Sequence, residues 1–375
     1  MLHGHGGNSI DLARQLGCAP EEIIDMSSNI NPLGPPPGLV SYLKDHIGVI
    51  GTFPEVDSRE ITECFADQCR IDSDRVLAGN GTTQFIYALP QALGIQKALI
   101  AGPTYSDYAD ACRINKVQTT LVVAQESQNF RPNINQIKKH LNKVDSVFIC
   151  NPNNPTGSLI PAKDLIALCQ SYPDTVFIVD ESYLSFIQRA GEKSIRQQDL
   201  NNLIVLVSIS KIFAIPGLRI GFVVSSPERI IELRRFLQPW SVNSLAQLAT
   251  RYLMAQKDEM DAFIEKTNQL IKAERNQFVT AFENAAGIIL YPSATNFMIA
   301  RLPDSLNAEA VCNRLAHHKI LVRNCRNFDG LSNRHIRISL KLPEHNLMLA
   351  QKLLKIAQQT ANRSLDAEKR TGVGG

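Results

Sequence analysis

The sequence predicts an α/β fold: a large domain on a mainly parallel sheet, with a smaller C-terminal α/β domain after it. Three observations lead there. First, short apolar runs rich in β-branched residues recur through the middle of the chain: "KALIAG" from Lys97, "TTLVVA" from Thr119, "DSVFICNP" from Asp145, "TVFIVDES" from Thr175 and "NLIVLVSIS" from Asn202. Their near-continuous hydrophobicity fits strands buried on both faces of a sheet covered by helices. Second, amphipathic stretches such as "PAKDLIALCQSY" separate the runs, which is the alternation parallel crossovers require. Third, the chain changes character after a long polar–apolar helical pattern from Lys257 to Asn284. Beyond it "FMIARLP", "ILVRNCRNF" and "HIRISLK" read as strands of a second unit.

In chain order, residues 1–48 form an irregular N-terminal arm. Its "NINPLGPPPG", Asn29 to Gly38, can continue neither a helix nor a central strand. Residues 49–285 make the large domain and 286–364 the small one, while the composition of 365–375 suggests a tail without structure. A chain of 375 residues is too long for one small core. With 44% apolar and 20% charged residues it has the balance of an ordinary globular enzyme. The net charge is only +3, from 39 basic against 36 acidic residues, and the basic ones are scattered, which argues against nucleic acid as a partner. No apolar run approaches the ~20 residues of a membrane-spanning helix, and the N-terminus lacks the basic start and apolar core of a signal peptide. A cytoplasmic protein without a membrane partner is therefore expected. Eight cysteines, none in a C-x-x-C pair, read as reduced packing thiols, with no metal site.

Ligands of an open parallel sheet bind beyond the carboxyl ends of its strands, so the residues after each run matter most. Asn80-Gly81-Thr82-Thr83 stands at an expected helix start, where N–H groups and the helix dipole can cradle a phosphate. It reads equally as a plain N-cap. "NPNNPTG", Asn151 to Gly157, is restrained by its prolines, so the amide of Asn153 or Asn154 could face a ligand, or the segment is simply a turn. Asp180 closes a run and Tyr183 follows it. A carboxylate there can pair with a protonated ring nitrogen and a phenol can bond a ring oxygen, although an Asp in that place is also a common cap. The last run ends in Ser208, Ser210 and Lys211, with Arg219 eight positions on. Lysines are almost never buried unpaired. One stripped of water among neighbouring charges acquires the lowered pKa that covalent catalysis through its amine needs.

All four groups occur in order, each at the end of an apolar run. On "NPNNPTG" and "SISKIFAIPGLRIG" the chain resembles the fold-type-I pyridoxal-phosphate enzymes of the class I/II aminotransferase superfamily, over nearly its whole length. The resemblance implies pyridoxal 5'-phosphate as cofactor, carried covalently by Lys211. It further implies that Asp180 pairs with the pyridine nitrogen and that Asn154 and Tyr183 bond the phenolic oxygen. Tyr105, in "GPTYSDY", would stack on the ring, and Gly81, Thr82, Ser208, Ser210 and Arg219 would bind the cofactor phosphate. A homodimer is implied too. One departure stands out: relatives often carry a Tyr-Pro pair whose hydroxyl reaches the partner's cofactor phosphate, and this chain has Phe53-Pro54.

The cofactor serves several reactions, and the clamps on the substrate's charged groups decide among them. Arg323 and Arg337 in the small domain suit carboxylate or phosphate, and Arg337 matches the superfamily's carboxylate-binding position. The arm adds His5-Gly6-Gly7-Asn8 before a helix, then Asn31-Pro32-Leu33-Gly34. Together with "RNCRNFDGL" these resemble the threonine-phosphate decarboxylases of cobalamin biosynthesis, which are similar throughout to histidinol-phosphate aminotransferases. That implies His5, Gly6, Gly7, Asn8 and Asn31 around the substrate and Arg323 on its phosphate. The expected reaction is decarboxylation of an O-phosphorylated amino acid. The first choice is L-threonine O-3-phosphate, giving (R)-1-amino-2-propanol O-2-phosphate for the cobamide nucleotide loop; L-serine O-phosphate, giving ethanolamine phosphate, stands close behind. A histidinol-phosphate-type aminotransferase is the rival on the same fold, and a non-catalytic binding or regulatory protein the remote one.

Overall fold

The structure, a computed structural model, describes residues 6–283 and 287–371. The arm contributes helix Ser9–Leu16 and the two-residue strand β1 (Ile24–Asp25). Seven strands then build the central sheet: β2 (Val76–Gly79), β3 (Lys97–Gly102), β4 (Gln118–Val123), β5 (Ser146–Cys150), β6 (Val176–Asp180), β7 (Leu203–Val207) and β8 (Gly221–Val224). Their order is β2-β8-β7-β6-β5-β3-β4. All neighbours are parallel except β8, which is antiparallel to both β2 and β7. The mainly parallel sheet read from the apolar runs is thus present.

Four of the five quoted runs are buried as expected. "TTLVVA" is not: β4 lies at the sheet edge, where Gln118 and Thr119 are exposed and Leu121 is 40% exposed. An edge strand has a neighbour on one side only, so its threonines meet water. On one face of the sheet, Phe65 from helix Arg59–Cys69 stacks on Phe222 of β8 at 3.9 Å. On the other, Phe85 and Leu89 of helix Gly81–Ala92 join Leu77, Ile178 and Leu206.

The small unit is a four-stranded antiparallel sheet of β9 (Ile289–Leu290), β10 (Phe297–Arg301), β12 (Arg323–Asn324) and β13 (His335–Ser339), ordered β12-β13-β10-β9. The intervening β11 (Ile320–Leu321) pairs in parallel with β1, so the arm is tied to the small unit. That pairing, and helix Ser9–Leu16, give the arm more order than its Gly and Pro content suggests. The last helix, Pro343–Thr371, also runs into the segment 365–371 that composition marks as a tail. Ala367, Glu368, Lys369 and Arg370 favour helix, and the first glycine after them is Gly372.

Candidate active site

Beyond the carboxyl ends of β2, β6 and β7 lies a cleft of about 260 Å³. Gly81, Thr82, Tyr105, Asn154, Tyr183, Ser208, Ser210, Lys211 and Arg219 line it from the large domain, Arg337 from the small unit and Gly6 from the arm. Residues scattered over the sequence therefore meet at one place.

One end suits a phosphate. Gly81 opens helix Gly81–Ala92 with φ +75°, where a side chain would be strained, and a Cβ there would stand 2.7 Å from Arg219 Nη2. Gly221 is bare for the same reason, since its Cβ would meet the Thr82 nitrogen at 2.6 Å. The helix N-terminus, with its unpaired N–H groups, thus faces the cleft beside an exposed guanidinium, itself held at φ +57°. Ser208 adds a hydroxyl. Ser210 differs from expectation in detail: its hydroxyl donates to the Ile220 carbonyl at 2.8 Å and braces the Lys211–Arg219 loop.

Lys211 Nζ donates to Ser208 Oγ at 3.3 Å and lies 5.3 Å from the centre of the Tyr183 ring. Burial lowers its pKa and Arg219 adds to the fall, while Asp180 opposes it. The shift favours the neutral, nucleophilic form of the amine. Asp180 is buried at the end of β6, with Oδ1 accepting from the Ser182 N–H at 2.9 Å and Oδ2 from the Tyr108 hydroxyl at 2.7 Å. Burial pushes the Tyr183 phenol up to about 12, so it remains a proton donor. Burial raises the Tyr105 phenol as well.

At the substrate end, buried Arg337 donates from Nη1 to Asn154 Oδ1 and from Nη2 to the Ser27 carbonyl, while its Nε has no partner. Asn154 thus turns its carbonyl to the arginine and its amide is free to donate. Arg323 stands opposite Arg337 across the β12–β13 pair, held by the Asn324 carbonyl at 2.6 Å and Asn327 Oδ1 at 2.7 Å. It does not line the cleft.

The arm residues divide. A Cβ on Gly6 would collide with the Ser27 carbonyl oxygen and come within 3.3 Å of Arg337 Nη2. The Gly7 N–H donates to Ser27 Oγ at 2.8 Å. Asn8 turns away, its amide bonded to Asp11 at 2.7 Å on the surface. His5 lies outside the described residues. Asn31 is a brace: its amide bonds the Ile212 carbonyl at 2.7 Å and Thr267 Oγ1 at 2.9 Å, its Oδ1 accepts from the Leu33 N–H, and its own N–H donates to the Lys211 carbonyl. The cleft is lined instead by Asn29, whose amide donates to the Tyr183 oxygen at 3.3 Å and whose Oδ1 accepts from Ser339 at 2.6 Å. Reading the sequence picked neither Asn29 nor Tyr108. The second was within sight, three positions after Tyr105 and in the first turn of the next helix.

A nucleophilic lysine, a glycine-bared helix N-terminus beside an arginine, and a carboxylate buried near enough to act on the lysine define a pyridoxal-phosphate site. The donor set fits that group from end to end: anion-binding N–H groups for its phosphate, an amine for its aldehyde and a carboxylate for its ring nitrogen. The chain belongs to the aminotransferase class I and II family, whose model matches residues 21–353, and it depends on pyridoxal phosphate. It is 30% identical over 358 residues to the threonine-phosphate decarboxylase of Salmonella typhimurium, covering 94% of this chain and 96% of that one. It is 34% identical over 375 residues to the adenosylcobalamin biosynthesis bifunctional protein of Leptospira interrogans, covering 99% of this chain but only 43% of that relative's length. Among solved structures, the histidinol-phosphate aminotransferase of Clostridium acetobutylicum superposes with a TM-score of 0.82 at 26% identity, covering 90% of this chain and 100% of that one.

Proposed function

We propose that the protein decarboxylates an O-phosphorylated α-amino acid, with L-threonine O-3-phosphate as first substrate and L-serine O-phosphate as second. The observation that carries this reading is the arm over Arg337. Gly6 and Ser27 lie against Nη2 of the guanidinium while Asn154 takes Nη1, beside a cleft of about 260 Å³ that suits a small substrate with two anionic groups. The likeness to a threonine-phosphate decarboxylase over 94% of the chain supports it.

In this reading Gly81, Thr82, Ser208 and Arg219 hold the cofactor phosphate, Asp180 the ring nitrogen, and Asn154 and Tyr183 the phenolic oxygen. Pyridoxal phosphate, when bound, supplies the electron sink that draws off the bonding pair at Cα. The chain supplies orientation. Arg337 takes the carboxylate, and Arg323, one strand away, takes the phosphate by turning from the Asn324 carbonyl and Asn327 into the cleft. Clamping two anions separately fixes rotation about Cα, so the Cα–carboxylate bond rather than the Cα–H bond is the one aligned to break. Carbon dioxide leaves, and Cα takes a proton either from Lys211 Nζ, which has gained one from the incoming substrate ammonium, or from water. A substrate methyl contributes only about 1–3 kcal/mol of discrimination, so threonine and serine phosphates compete closely.

We further propose a homodimer. Phe53 is 83% exposed and packs against Trp240, 48% exposed, at 5.3 Å, with Ile47, Ile50 and Val56 exposed on the same part of the chain. An apolar face of this kind is typical of an interface. Gel filtration at the monomer mass would argue against it.

The decisive experiment supplies cofactor-loaded protein with L-threonine O-3-phosphate and no keto acid. Release of CO₂ with one equivalent of amino-alcohol phosphate is expected. Glutamate formed from 2-oxoglutarate at the expense of histidinol phosphate, without CO₂, would instead establish an aminotransferase.

A further inference from the structure

Asp180 has a partner that the reaction, as described, leaves unused. Tyr108 lies in helix Asp107–Ile114, is 1% exposed, and stacks on Phe148 of β5 at 5.5 Å while meeting Tyr105 edge-on at 5.7 Å. Its hydroxyl ends 2.7 Å from Asp180 Oδ2. The neighbouring Cys150 sulfur, whose own hydrogen goes to the Pro152 carbonyl at 3.3 Å, is only a weak acceptor for the phenol, so the carboxylate oxygen at 2.7 Å is the stronger claimant for the phenol proton. The other oxygen, Oδ1, already takes the Ser182 N–H. Each oxygen therefore receives one donor from the protein and keeps lone-pair capacity for the cleft.

We propose that Tyr108 is a positioning residue for Asp180, fixing Oδ2 as an acceptor so that the proton between this carboxylate and the cofactor ring lies on the ring nitrogen. Two tautomers compete at this contact. A proton shared between a carboxylate and a pyridine can sit on either. A hydrogen bond donated to the carboxylate stabilises the form in which that oxygen is an anion, and such bonds are stronger in a buried site than in water. Burial raises the Tyr108 phenol well above its ordinary value, so it stays a donor at any working pH. The other ionisable groups around Asp180 are Lys211, Cys150, Glu181, Tyr105 and Tyr183. Burial lowers the Lys211 pKa and raises those of the other four. The proposal concerns the cofactor end alone and holds whichever reaction the substrate end selects.

The test is Tyr108→Phe in the cofactor-loaded enzyme, with the ring nitrogen of the cofactor labelled by ¹⁵N. Three quantities are read: the ¹⁵N shift, the pH midpoint of the visible band of lysine-bound cofactor, and the cofactor dissociation constant. Loss of the donor should move the ¹⁵N shift toward the unprotonated value and raise the midpoint by about one pH unit, because a neutral ring withdraws less charge from the imine. Cofactor affinity should fall about ten-fold. An unchanged ¹⁵N shift and midpoint, with only a lower thermal midpoint, would reduce Tyr108 to packing and overturn the proposal. If Tyr108→Phe does not fold, 3-fluorotyrosine at position 108 keeps the shape while making the phenol a stronger donor. The midpoint should then move down, and no movement overturns the proposal.

Discussion

Arg323 and Arg337 are directly opposed in the antiparallel β12–β13 pair. Like charges at such positions destabilise a sheet. Burial lowers the pKa of both guanidinium groups, and the charge of Arg337 adds to the fall at Arg323. In the proposed reading this pair receives the two anionic groups of the substrate, which would offset the repulsion. Replacing Arg337 with Ala should lower kcat/KM by roughly 10²–10³, since it strips a buried partner from the substrate and from Asn154. Arg323→Gln should act mainly on KM, raising it about ten- to hundred-fold for the phosphorylated amino acid. Steady-state kinetics with threonine as a comparison substrate checks the assignment. If Arg323→Gln weakens threonine and threonine phosphate equally, Arg323 does not hold the phosphate.

The phosphate cradle makes a second prediction. Gly81→Ala puts a methyl group in a backbone region that costs about 1–2 kcal/mol for L-residues, and aims it at Arg219 Nη2. The strain should lower the apo thermal midpoint by a few degrees, and cofactor affinity should fall at least ten-fold when measured well below that midpoint. Titration of apoprotein with pyridoxal phosphate, followed by visible absorbance, measures it. An unchanged dissociation constant would mean that the helix start takes no part in phosphate binding.

The large-domain chemistry was legible because each residue follows its own apolar run, and the run's end is where a parallel sheet presents ligands. Asp180, Ser208 and Lys211 could be placed from strand logic alone. The arm offered no such period. Between Asn29 and Asn31 the sequence gives no preference, since both stand in the same Pro-rich segment. Only the fold reveals that Asn31 points into protein while Asn29 bridges Ser339 and Tyr183. The edge position of β4 was hidden for a related reason: strand order depends on crossovers, which local hydrophobicity does not encode.

That contrast can be measured. Asn31→Ala leaves the Ile212 carbonyl and Thr267 hydroxyl without their donor and should cost about 2–4 kcal/mol of stability. Asn29→Ala should cost less stability but lower kcat several-fold, because Tyr183 loses the donor that fixes its oxygen as an acceptor and leaves its own proton for the cleft. Denaturant unfolding and kinetics on the two variants separate the roles. Equal loss of stability with unchanged kcat in Asn29→Ala would make both asparagines braces.

His335 is 2% exposed on β13, two residues before Arg337. Its Nδ1 accepts the Ser332 N–H at 3.0 Å, so the neutral ring carries its proton on Nε2, which faces Glu126 at 3.6 Å. Burial lowers its pKa below 6.5, against the opposing pull of Glu126. A histidine depressed in the folded state is protonated first in the unfolded chain. Its contribution to stability is therefore complete above about pH 6.5 and declines as pH falls through that value toward the folded pKa. Protonation would also force a second hydrogen onto Nδ1, against the N–H it now accepts. Unfolding free energy should drop between pH 7 and pH 5 in the wild type, and this slope should flatten in His335→Gln, whose stability at pH 8 will be lower to begin with. Urea unfolding at a series of pH values gives both curves. If they run parallel, another group is responsible for the acid limb.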